Sequence, residues 1–185
     1  MQKDRIGELL APFLEQPLIA SQLEQISTYI DILLRWNARI NLTAIRNPDE
    51  IVTRHFGESF FLARHLFPYA NQATVPALRA LDIGSGAGWP GLPLKIWAPD
   101  VHLTLVESNA KKAAFLREIV RALGLTQVGV INERTEALIE RDDLIQNDVV
   151  TFRAVEHFEE ILEQAMSFLV PGGRVALLIG SSQVY

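Results

Sequence analysis

The chain has 185 residues, 49% of them hydrophobic and 21% charged, with a formal net charge of −5. That size and balance fit one domain with a real core, and they exclude a disordered solvating chain. The absence of cysteine excludes disulfides, thiolate metal sites and methylation of pyrimidine carbons through a covalent cysteine adduct.

In chain order, "MQKDRIGELLAPF" mixes charge with apolar residues and lacks a secretory apolar block. No later apolar run is long enough to span a membrane, so a cytoplasmic protein is expected. Leu9, Leu10, Phe13 and Leu14 recur at helical spacing before Pro17, and Leu23, Ile26, Ile30, Leu33 and Leu34 do so again, predicting two amphipathic helices. "NPDE" (Asn47–Glu50) reads as a helix start, with Asn47 as cap and Pro48 at the first helical position. That helix would carry Ile51, Val52 and His55 and break at Gly57. "ANQATVP" (Ala70–Pro76) is turn-rich, which sets an expected boundary between a helical N-terminal cap (1–70) and a second part (71–185) of one compact unit.

From residue 78 short apolar runs alternate with helical stretches. The runs "ALRALDI", "VHLTLVE", "QVGVIN", "DVVTF" and "GGRVALLIG" predict strands. "PGLPLKIW", "NAKKAAFLREIVRALG", "RTEALIE" and "VEHFEEILEQAMSFL" predict the helices between them, with Pro171-Gly172-Gly173 turning the chain into the last strand. The fold class is therefore α/β: a Rossmann-like parallel sheet with helices on both faces and a helical N-terminal extension.

The stretch "LDIGSGAGWPG" (Leu81–Gly91) ends the first strand, where ligands of doubly wound sheets bind. Glu107 closes the second strand, where an acid can accept bonds from both hydroxyls of a ribose. The dinucleotide fingerprint does not fit, because Gly84 and Gly86 put Trp89 where a third glycine belongs. Taking Gly86 and Gly88 instead leaves Asp82 ahead of the loop, unfavourably close to a pyrophosphate. An acid there suits a cationic ligand, and S-adenosylmethionine carries a sulfonium and an ammonium group and no phosphate. "D-x-G-x-G-x-G" followed by an acid ending the next strand is the usual pattern of methyltransferases that use it. No Gly-Lys-Ser/Thr follows, which counts against a phosphate-binding loop.

The acceptor is narrowed by absences. Methylation of adenine amino groups goes with an Asn/Asp-Pro-Pro-aromatic motif after the fourth strand, whereas here "DVVTFRAVEHF" offers Arg153 and no paired prolines. A ring nitrogen with a free lone pair, such as N7 of guanine, needs only alignment in a dry site. Arg153 could meet the O6/N7 edge of guanine or the carboxylate of the cofactor. Basic charge is concentrated in residues 35–65, with five arginines against three acids, plus His55 and His65.

"RWNARINLTAIRNPDEIVTRHFGESFF" (Arg35–Phe61) resembles the N-terminal signature of the RsmG/GidB family, with its W-N-x-x-x-N-L-T run and following H-x-x-[DE]-S. "GSGAGWPGLPL", "KKAAFLREI" and "FRA" are similar to that family's versions of the loop, K-x-x-F-L and the arginine segment. The resemblance covers about residues 5–180. It implies a monomeric enzyme that transfers methyl from S-adenosylmethionine to N7 of a guanine in small-subunit (16S) ribosomal RNA, with that RNA or the small ribosomal subunit as partner. By position it implies cofactor contacts at Gly84, Trp89, Thr135, Glu136 and Arg153, to which the fold adds Asp82, Gly86, Gly88 and Glu107. Arg153 is the candidate catalytic residue. The RNA face would comprise Arg35, Arg39, Arg46, Arg54 and His55, while Asn37 and Asn41 would serve helix-end and loop hydrogen bonds. No metal is implied. Two departures stand out: Ile179-Gly180 replaces the usual Lys-Gly, and with the chain stopping at Tyr185 the family's final hairpin is expected to be missing. Competing readings are a methyltransferase for a small molecule or protein, and a catalytically silent S-adenosylmethionine-binding module.

Overall fold

The structure, a computed structural model, describes residues 1–68, 77–140, 145–153 and 158–178. Its first part is helical: α1 (Lys3–Leu10), a 3-10 turn at Ala11–Phe13, α2 (Ala20–Asn37), α3 (Pro48–Glu50), a π-helical stretch at Ile51–Gly57, and α4 (Glu58–Leu66). Asn47 caps α3 as expected, its side chain accepting from the Asp49 N–H at 2.9 Å. The helix does not end at Gly57, where the π-helical stretch leads straight into α4. A Cβ on Gly57 would lie 2.6 Å from the Phe13 ring, so the missing side chain admits that ring instead of stopping the helix. π-Helical turns are rare and are found frequently at functional sites.

The second part holds five parallel strands: β1 (Arg79–Ile83), β2 (His102–Val106), β3 (Val128–Ile131), β4 (Asn147–Arg153) and β5 (Leu169–Leu178). Helices α5 (Gly91–Trp97), α6 (Ala110–Ala122), α7 (Thr135–Ile139) and α8 (Phe158–Ser167) lie between them in sequence. The sheet order is β3-β2-β1-β4-β5, all parallel, so the order reverses beside β1. Strand β5 starts earlier than expected, at Leu169. Pro171, Gly172 and Gly173 form an irregularity within it, because Asn147 pairs with Leu169 while Val149 pairs with Arg174. Pro171 has no N–H to donate, and Gly172 has φ +82°, so neither continues a regular ladder. Ala70–Pro76 and Ile179-Gly180 lie outside the described residues.

Side chains alternate across β1. Leu81 and Ile83 join Val150, Phe152, Ala165 and Phe168 in a core on one face. Ala80 joins the opposite core, where the cap residues Tyr29, Phe56 and Phe60 pack with Leu92 and Phe115. Burial of each such side chain contributes about 1.5–3 kcal/mol, which ties the cap to the sheet. Among the described residues no helix is long and apolar enough to cross a membrane.

Candidate functional site

The glycine loop leaves β1 beside the point where the strand order reverses. Its backbone is anchored by the Ser85 N–H, which donates to the Val106 carbonyl at 3.0 Å, and by Ser85 Oγ, which donates to the Asp82 carbonyl at 2.9 Å. Gly88 sits at φ +95°, and a Cβ there would come within 2.5 Å of both Tyr29 Oη and Leu92 Cδ1. The Tyr29 hydroxyl donates to the Ala87 carbonyl, so cap helix α2 closes the back of the loop. The front is open. Gly84 has φ +65°, and nothing lies within 4 Å of where its Cβ would be.

Two carboxylates stand under and beside this opening. Asp82 is fully buried, with Oδ1 accepting from Thr151 Oγ1 at 2.7 Å and Oδ2 turned toward the Gly91 backbone at the start of α5. Burial pushes its carboxyl up to about 7, against the lowering effect of hydrogen bonding to Thr151, Ser85 and the Gly91 backbone. Glu107 is buried and bonds two backbone groups: Oε2 accepts from the Gly86 N–H and Oε1 from the Asn109 N–H, each at 2.8 Å. One side chain thus fixes both the loop and the start of α6, where Asn109 caps the N–H groups of Lys111 and Lys112. Each Glu107 oxygen keeps acceptor capacity for a further donor.

The third wall comes from the cap. The Trp89 indole stacks on the His55 imidazole, with ring centroids 3.8 Å apart and an angle of 18° between planes. His55 Nε2 bonds Thr43 Oγ1 at 2.9 Å. Burial, with Arg153 and Arg54 nearby, pushes the His55 imidazole down to about 3, so it is neutral at ordinary pH. Arg153 ends β4 one residue beyond the Ile83–Phe152 pair, which puts it level with Gly84. Its Nη2 donates to Glu58 Oε2 at 2.7 Å and to the Arg54 carbonyl at 3.1 Å. Among the described residues its Nη1 is buried with no partner, as are Trp89 Nε1 and His55 Nδ1.

A family model described as GidB, rRNA small subunit methyltransferase G, matches residues 22–184. The chain belongs to the GidB family. A relative from Chloroflexus aggregans, named Ribosomal RNA small subunit methyltransferase G, is 45% identical over 163 residues, which is 86% of this chain and 64% of the relative. A relative of the same name from Stenotrophomonas maltophilia is 40% identical over 97% of this chain and 82% of its own length. The chain therefore spans slightly under two thirds of the length of the first relative. Among solved structures, a SAM-dependent methyltransferase from Agrobacterium tumefaciens shares the fold, with a TM-score of 0.55 at 17% identity over 68% of this chain and 45% of that one.

Within this GidB-family fold, Gly84, Gly86, Gly88 and Trp89 belong to the loop after β1, Glu107 is bonded to that loop, Asp82 is buried at its base, and Arg153 ends the neighbouring strand. Asn132 Nδ2 donates to the Glu107 and Ser108 carbonyls at 2.8 and 3.0 Å, bringing the turn after β3 beside them. Thr135 begins α7 half-buried, and Glu136 follows it exposed, accepting from Gln164 at 3.4 Å. Arg35, Arg39, Arg46 and Arg54 are exposed on the cap. His55 is not: it is buried against Trp89, and being neutral it adds no charge to that basic face. Asn37 serves its helix end as expected, accepting from the Leu42 and Thr43 N–H groups. Sequence reasoning missed Tyr29, Thr151 and Glu58 as supports. In the sequence Glu58 stands out only as the acid of the H-x-x-[DE]-S run.

These residues fit S-adenosylmethionine. A buried carboxyl lies at the base of a loop whose front is bare backbone, and a second acid with spare acceptor capacity stands at the end of β2. Both acids suit a cation and disfavour a phosphate.

Proposed function

We propose that this chain transfers methyl from S-adenosylmethionine to N7 of a guanine in small-subunit (16S) ribosomal RNA, working as a cytoplasmic monomer. The observation that supports it most is Glu107 bonding the Gly86 N–H of a glycine loop whose front is open, with Asp82 buried at the base of that loop. When bound, S-adenosylmethionine supplies an electrophilic methyl group on a positively charged sulfur. Glu107 offers acceptors to the ribose hydroxyls and holds the loop and the start of α6 in one geometry before any ligand arrives, while Asp82 at the base of the loop supplies negative charge as it ionises. Trp89, backed by His55, excludes water from one side.

The N7 acceptor is the one whose methylation asks for no base, and the buried imidazole next to Trp89 offers none. His55, held at about 3 by burial, is too weak a base to strip a proton from an amine or hydroxyl. Guanine N7 has a lone pair and needs no proton removed, so alignment suffices. Arg153 Nη1 is a free charged donor that suits guanine O6 or the carboxylate of the cofactor. Arg35, Arg39, Arg46 and Arg54 would neutralise phosphates of the RNA.

The test is incubation with methyl-labelled S-adenosylmethionine and small subunits lacking this modification, followed by nucleoside identification. Label in 7-methylguanosine is the expected result. Label in protein or small molecules, or none at all, would contradict it.

A further inference from the structure

The H-x-x-[DE]-S run of the cap, His55 to Ser59, lies where the π-helical stretch passes into α4, facing the end of β4. Its three polar residues have distinct partners. Ser59 Oγ donates to the His55 carbonyl at 2.6 Å, within the helix. His55 backs Trp89. Glu58 reaches across 95 positions of sequence to Arg153 at 2.7 Å, and the Arg54 carbonyl shares the same Nη2. Arg54 also contacts the other Glu58 oxygen, at 3.4 Å, so the carboxylate is gripped from both sides. An arginine carries five donors, and here one nitrogen takes two acceptors while Nη1 stays buried and unpaired. A buried charged donor without an acceptor is costly unless a ligand supplies one. The arrangement therefore aims Arg153 instead of consuming it.

We propose that Glu58 is a positioning residue: it fixes the Arg153 guanidinium through Nη2 so that Nη1 is presented to the ligand of the glycine-loop site. This rests on the reading of Arg153 as a residue of that site. A plain salt bridge between cap and sheet would also use these atoms, but it would affect stability alone.

A double-mutant cycle of Glu58→Ala and Arg153→Ala in the full chain separates the two, read by calorimetric affinity for S-adenosylhomocysteine, the kcat and KM of methyl transfer to unmodified small subunits, and Tm. Glu58→Ala is expected to weaken the affinity or kcat/KM by about tenfold or more in the Arg153 background. It is expected to change neither in the Arg153→Ala background, and Glu58→Asp should recover part of the loss. A lower Tm with affinity and kcat/KM unchanged would overturn the proposal, as would equal losses in both backgrounds. Side-chain NMR gives a readout independent of ligand and activity. Arg153 should show separate Nη signals from restricted rotation in the parent chain, merging in Glu58→Ala. Signals already merged in the parent would overturn the proposal. A chain with the restricted Arg153 and the coupling in S-adenosylhomocysteine affinity, but no label in RNA, would instead overturn the proposed reaction.

Discussion

The glycine loop and the helical stretch opposite it meet at one opening, yet they hold their shapes by different means. The loop is set by backbone: glycines at positive φ, and a single carboxylate, Glu107, bonding two N–H groups. The stretch from Ile51 to Glu58 is set by side chains that reach far in sequence, His55 to Trp89 and Glu58 to Arg153. A backbone-built wall is rigid and tolerates little substitution. A side-chain-built wall can be released one contact at a time. The two halves should therefore fail differently when perturbed.

The largest effect is expected from Asp82, the buried floor of the loop. Its folded carboxyl is raised to about 7 from an ordinary value of 3.8, so the folded chain binds more protons than the unfolded chain between those limits. Its contribution to stability is thus fully present below the lower value and lost as pH rises through the upper, by about 4 kcal/mol. His55 has the opposite sign. Its folded value of about 3 lies below the ordinary 6.5, so its contribution is present above 6.5 and lost as pH falls toward 3. Denaturation of the ligand-free chain across pH 4 to 8 should show the two slopes opposing each other. In Asp82→Asn the first slope should vanish, leaving a plain loss of stability on acidification.

Next come the two glycines, which divide the loop into back and front. Gly88→Ala combines an unfavourable φ with collisions at Tyr29 and Leu92, and should destabilise by about 2–4 kcal/mol in thermal or denaturant unfolding. Gly84→Ala meets open space, so its cost should be about 1–2 kcal/mol of backbone strain, with affinity for S-adenosylhomocysteine reduced far more than stability. Equal stability losses would remove the distinction between a packed back and an open front. In the cap, Gly57→Ala pushes on the half-buried Phe13 ring and should cost about 1 kcal/mol. The smallest effects belong to the exposed arginines. Replacing Arg35, Arg39 or Arg46 with Ala should each lower the salt dependence of RNA binding by about one phosphate contact, with Tm unchanged.

The loop half was legible in the sequence because its signals are local. Alternating glycines, an acid just before them and an acid ending the next strand lie within one β-α-β unit, and the parallel sheet followed from strand-helix alternation. The cap half was not legible to the same degree. Gly57 read as a helix end because its reason, the Phe13 ring, comes from a distant turn. His55 read as part of a basic face because charge was counted along the chain, whereas burial against Trp89 decides its state. Glu58 had no visible task until β4 brought Arg153 to it. The β5 start was misjudged because Pro171-Gly172 reads as a turn, although here it is an irregularity within a strand.

The proposed role of Asp82 is to lend charge to a cationic adenosyl ligand held by the loop above it. Calorimetry of S-adenosylmethionine binding to the full chain at pH 7, repeated in buffers of different ionisation enthalpy, tests it directly. With the Asp82 carboxyl raised by burial, binding of the cation near pH 7 should release a fraction of a proton, and Asp82→Asn should abolish that release. Binding with no proton release, or with the same release in Asp82→Asn, would contradict the account.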